Sequence, residues 1–148
     1  MSVFRCLLVL LMALWVPLAS AQLEISDGFI RGLPPGQSTT AAFMTLHNPG
    51  TEPVVLVGGR SDIAAALEVH GHQHTDGMMR MRPVPEFEIA AGSTRVLSPG
   101  SYHLMIIGLN RVLVDGDKAD LVLIFADGKE QALTLPVQSV LKEGHNGH

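Results

Sequence analysis

From residue 23 onward, apolar and polar positions alternate in short runs, and the 3.6-residue period of a helix is nearly absent. Runs at 23–30, 40–47, 66–72, 78–84, 87–90, 94–97, 102–109, 119–125 and 131–137 read as strands, as does the Val-rich apolar run at 53–57. Between them stand Asn48-Pro49-Gly50, Gly58-Gly59, Asp76-Gly77, Ala91-Gly92-Ser93, Pro99-Gly100 and Asp127-Gly128, all turn-forming residue types. Gly58-Gly59 is expected to end its strand, and Asp76-Gly77 is a two-residue hairpin signal. Segment 61–67 is expected to form one helical turn capped by Ser61 or Asp62. Turn signals recur roughly every eight to twelve residues, the rhythm of a sandwich or barrel. The pattern predicts an all-β domain, a single antiparallel β-sandwich of about eight to ten strands.

The first segment has a different pattern. One positive charge at Arg5 precedes an unbroken apolar run over 6–18, followed by the small residues Ala19-Ser20-Ala21. This reads as a secretory signal peptide over 1–21 cleaved after Ala21; the alternative is an uncleaved anchor, for which the run is short. Lipoprotein processing needs a cysteine just after the small residues, whereas Cys6 opens the apolar run. The mature chain is then a domain at 22–138 and a flexible tail at 139–148 carrying His145 and His148, with no stable membrane insertion after cleavage.

Composition narrows the function. The 148 residues hold one domain of ordinary size, and 47% apolar against 16% charged residues excludes a disordered chain. Ten basic and fourteen acidic residues give a net charge of −4; losing Arg5 makes this 9 − 14 = −5. A mildly acidic chain without a basic run is a poor candidate for nucleic acid, where phosphate neutralisation dominates affinity. Cys6 is the single cysteine and leaves with the signal peptide, so disulfides within the chain and multi-thiolate zinc sites are excluded. There is no Gly-x-Ser-x-Gly elbow, phosphate loop or His-Glu-x-x-His, so an enzyme is not expected. The chain does contain seven Met and seven His.

In strands, His70, His72 and His74 share one face, as do Met79 with Met81 and His103 with Met105. A lone Met in a strand is ordinarily core filler; Met44 and Met78 are expected to be core or rim residues, and His47 beside a turn is read as structural or exposed. Glu68 and Asp76 are read as solvated, with acceptance of an imidazole N–H as the alternative. The shared faces suggest a joint role. Thioethers are soft, neutral ligands that suit Cu(I) and hold Zn, Mg or Ca poorly. Two His and two Met leave one net positive charge with Cu(I) and two with a divalent ion, which favours the monovalent ion where water is partly excluded. An electron-transfer cupredoxin needs a Cys ligand that the mature chain lacks. Segments 78–84 and 102–109 are expected to lie side by side or to face one another at an edge.

The spacing His70, ten residues, Met81, twenty-one residues, His103, one residue, Met105 resembles the metal motif of the periplasmic copper chaperones of the PCu(A)C type, at all four positions. The phrases Leu67-Glu68-Val69-His70, Gly77-Met78-Met79-Arg80-Met81-Arg82-Pro83-Val84 and Gly100-Ser101-Tyr102-His103-Leu104-Met105 also resemble that family. The resemblance implies a cupredoxin-like, Greek-key β-sandwich that works in the periplasm. It implies Cu(I) bound by His70, Met81, His103 and Met105. It also implies delivery to a copper-accepting protein, the binuclear site of cytochrome c oxidase subunit II or a Sco-type thiol protein. His72, His74, His145 and His148 are secondary metal candidates, with Cu(II) as a second ion. The competing reading is a copper-sequestering or structural periplasmic β-sandwich without a delivery role.

Overall fold

The computed structural model describes residues 22–139. The segment 1–21, expected to be a signal peptide, and the tail histidines His145 and His148 lie outside the described residues. The described residues form ten strands: β1 (Glu24–Gly32), β2 (Thr39–His47), β3 (Val54–Ser61), β4 (Ala64–Thr75), β5 (Met78–Pro83), β6 (Phe87–Ile89), β7 (Thr94–Leu97), β8 (His103–Ile107), β9 (Lys118–Phe125) and β10 (Glu130–Ser139). Hydrogen bonding runs in the order β5-β4-β8-β2-β1-β10-β9-β3-β6, and β3 also pairs with β4, which closes the sheet into a barrel. All pairings are antiparallel except β1 with β10, which is parallel and in register from Ile30↔Val137 to Gly32↔Ser139.

Two strands divide their pairing and give the barrel its sandwich character. Along one edge of β2, residues 39–42 pair with β8 and residues 44–47 with β7. Likewise β3 pairs first with β6 and then with β4. Buried Asn48 fastens the end formed by β6 and β7, donating from its amide to the carbonyls of Glu52 and Ile89. The core holds Ile30, Met44, Leu46, Leu56, Phe87, Leu104, Ile106, Leu121 and Leu123, each nearly inaccessible. Alternation assigns these residues inward, and burying each large side chain contributes about 1.5–3 kcal/mol. Met44 is core, as expected, whereas Met78 is exposed beside the hairpin turn and takes no part in the core, and His47 bonds through Nδ1 to the Thr94 hydroxyl at 2.8 Å.

Two local expectations are corrected. Segment 61–67 is not a helical turn: Ser61 pairs with Ala64 around the tight turn at Asp62 and Ile63, and β4 starts at once. Inward-facing Leu67 and Val69 hold this stretch to period two, because a helical turn would swing them out of the core. Gly58-Gly59 does not end β3, which bulges there and pairs with β9 as far as Arg60↔Val122. The Asp76-Gly77 hairpin forms as expected: both residues have positive φ, 54° and 75°, the type I′ arrangement.

Candidate metal centre

Neighbouring strands β5, β4 and β8 bring the soft side chains onto one outward face. On β4, Leu67, Val69 and Gly71 turn inward, while Glu68, His70, His72 and His74 face outward. On β8, Leu104 and Ile106 enter the core, so His103 and Met105 face outward. Register places His70 opposite His103, His72 opposite Met81 and His74 opposite Met79. Segments 78–84 and 102–109 are therefore not adjacent, because β4 lies between them. Met81 nevertheless crosses β4, its Sδ lying 3.2 Å from His103 Nε2. A long, unbranched thioether can bridge a gap that a β-branched side chain cannot.

His103 is the buried member, at 6% exposure. Its Nδ1 lies 3.1 Å from the carbonyl oxygen of Ser101. That carbonyl is presented by a tight turn in which Ser101 N–H donates to Ser98 C=O, with Pro99 and Gly100 (φ 81°) at the corner. Burial pushes the His103 imidazole below its ordinary pKa; the Ser101 carbonyl opposes this, and His70, His72 and Arg31 add to the lowering. Burial thus favours the neutral ring, which carries a single N–H. A carbonyl can only accept, so the N–H is on Nδ1 and the Nε2 lone pair faces the Met81 sulfur. Two electron-pair donors pointing at each other cannot satisfy one another by hydrogen bonding, but a soft cation between them would satisfy both.

A cavity of about 390 Å³ opens beside this pair. His72, Met81, His103 and Met105 line it, and Phe43 stands under the His103 ring at 6.5 Å between centroids. His70 lies outside the lining, although its ring centroid is 6.2 Å from that of His103, and the His72 ring is at 6.1 Å. His70 Nε2 lies 2.9 Å from a Glu68 carboxylate oxygen, so it donates there, and in the neutral ring Nδ1 carries the lone pair. Glu68 is thus an imidazole acceptor and not merely solvated, whereas Asp76 serves the turn. Among the described residues, no three His, Cys, Asp or Glu side chains converge as a metal site without the thioethers.

Sequence reasoning missed a supporting pair, Gly71 and Tyr102. A Cβ at Gly71 would lie 2.7 Å from two carbons of the Tyr102 ring, so only glycine lets the ring rest on β4, on the face opposite His70 and His72. Tyr102 packs edge-on against Phe87 at 5.1 Å, and the Arg95 guanidinium lies 3.8 Å from the Phe87 centroid and 5.0 Å from that of Tyr102. The residue before His103 is thereby wedged in place. A glycine flanked by same-face histidines within a strand was the available signal.

A family model described as LpqE-like matches residues 23–137. The protein Lxx21020 of Leifsonia xyli subsp. xyli, whose name describes it as a lipoprotein, is 33% identical over 116 residues, 78% of this chain and 69% of its own. The solution structure of CuI-DR1885 from Deinococcus radiodurans is 32% identical with a TM-score of 0.62, covering 75% of this chain and 74% of that one. The copper-bound PCuAC domain from PmoF2 aligns with a TM-score of 0.66 over 79% of this chain and 92% of that domain. At 17% identity, that last likeness establishes a shared fold.

Proposed function

Since this chain belongs to the LpqE-like family, we propose from its relatives and from the His103 pocket that it is a copper chaperone, holding one Cu(I) and passing it on. The observation that carries the reading is the His103 Nε2 lone pair facing Met81 Sδ at 3.2 Å, with the other ring nitrogen tied to Ser101. Met105 supplies the second thioether from the same pocket. Motif spacing selects His70 as the fourth donor, and the Glu68 contact supports this by freeing Nδ1, a carboxylate–imidazole–metal arrangement.

The cargo arrives as a monovalent ion and leaves unchanged, so no electron is transferred. Neutral ligands need no deprotonation to receive it beyond keeping the imidazoles neutral, and burial already does this at His103. Release proceeds by ligand exchange: a donor from the acceptor enters as a thioether leaves. Met81, at 47% exposure, is the ligand open to that exchange, while buried His103 is the anchor. We assign the acceptor to the copper-requiring proteins that the resemblance implies, cytochrome c oxidase subunit II or a Sco-type thiol protein. The place of action is the periplasm, after removal of residues 1–21. Cys6 opens the apolar run, so release from the membrane is the expected outcome here even though relatives carry lipoprotein names.

The test replaces Met81 and Met105 by Leu and measures Cu(I) affinity against a chromogenic chelator. Leu keeps volume and apolarity, so stability should change by less than about 1.5 kcal/mol. Affinity should fall at least about a hundredfold, or about 2.7 kcal/mol. Unchanged affinity would refute thioether ligation and with it this reading.

A further inference from the structure

The β4–β5 hairpin extends beyond the pocket, and its soft side chains continue outward along the same face. His72↔Met81 is followed, two residues along each strand, by His74↔Met79. Directly opposed residues in an antiparallel pair have Cβ atoms about 4.5–5.5 Å apart, close enough for an imidazole nitrogen and a thioether sulfur to meet at one ion. Successive same-face pairs are about 7 Å apart along the strands. The type I′ turn at Asp76-Gly77 fixes the register, so the opposition of His74 and Met79 is built in.

Packing does not account for these side chains. A Met serving as core filler is buried, yet Met79 is 61% exposed and His74 is also exposed. Arg80 and Arg82 alternate with the methionines and face the other side of β5, so their charges do not line this face.

We infer that His74 and Met79 form an outer, weaker subsite for a soft monovalent cation, which captures Cu(I) at the hairpin tip and hands it inward to Met81 and His103. The inference deepens the proposed copper-carrier function and rests on it. Its structural content is the His74↔Met79 opposition, one step out from His72↔Met81 on the same face. Two neutral donors hold an ion more weakly than four, as an entry point requires. The short step allows the incoming ion to gain Met81 before it loses Met79.

Ag(I), a closed-shell monovalent stand-in, tests this in a titration of the mature chain followed by methionine-methyl and imidazole resonances. The first equivalent should move Met81, Met105 and His103. A second, at least about a hundredfold weaker, should move Met79 and His74. The double variant His74→Ala, Met79→Leu, altered only at exposed positions, should keep the first affinity and lose the second equivalent. It should also load from a Cu(I)–chelator complex at least threefold more slowly. The inference is overturned by a wild type with no second equivalent, by a second equivalent that persists in the double variant, or by equal loading rates. Failure of the inner site would look different: Met81 and Met105 would stay unmoved whatever happened at Met79.

Discussion

Gly71→Ala is a one-carbon change between His70 and His72 that touches neither imidazole. The added Cβ would stand 2.7 Å from two ring carbons of Tyr102, against an ordinary contact of 3.4 Å or more. The ring must therefore move by about 0.7 Å or more, and it cannot do so freely with Phe87 at 5.1 Å and the Arg95 guanidinium at 5.0 Å. Overpacking of this kind costs about 1–3 kcal/mol. At about 4 °C per kcal/mol for a domain of this size, Tm should fall by about 4–12 °C. Tyr102 is covalently joined to His103, so the displacement should also loosen the Nε2–Sδ approach and lower Cu(I) affinity about tenfold, as loss of a supporting partner does. The assay combines thermal unfolding with chelator competition. Tyr102 is the chain's single tyrosine, so emission from a protein prepared as residues 22–148, which lacks Trp15, reports this ring alone. If Tm and affinity both stay at wild-type values, the account of Gly71 as the seat of Tyr102 is wrong. If Tm falls and affinity does not, the wedge supports the fold without positioning His103.

Glu68→Ala should lower Cu(I) affinity by up to about tenfold, at the weak end for a supporting carboxylate because Glu68 is half exposed; no change there, with a large loss on His72→Ala, would make His72 the fourth donor. Cu(I) affinity should weaken as pH falls and protons compete for the imidazoles, with His103 losing its hold at lower pH than an ordinary imidazole because burial depresses its pKa; chelator competition between pH 7.5 and 5 on wild type and His103→Met checks this, and parallel curves would remove His103 from the site. Stability of the metal-free protein should follow the same sign. Above about pH 6.5 neither the folded nor the unfolded state is protonated at His103. Below that the unfolded chain binds the proton first, so stability declines until pH passes beneath the lowered folded value. His103→Gln should flatten that part of the Tm–pH curve.

The strands were legible because a period of two leaves no choice about which face each residue occupies. Leu104 and Ile106 had to turn inward, which sent His103 and Met105 outward together. The four-position spacing was likewise a property of the chain. The helical-turn expectation at 61–67 failed because local capping residues were outweighed by the burial of Leu67 and Val69 in a strand. Period and spacing determined the fold class and the face that the His and Met side chains share. They could not determine which strands are neighbours, because strand order depends on long-range pairings whose partners lie far apart in sequence. Only the tertiary structure put β4 between β5 and β8, so that Met81 reaches His103 across it. Only the fold buried His103 and turned one ring nitrogen to the Ser101 carbonyl, because desolvation and lone-pair direction arise when separate segments meet in space.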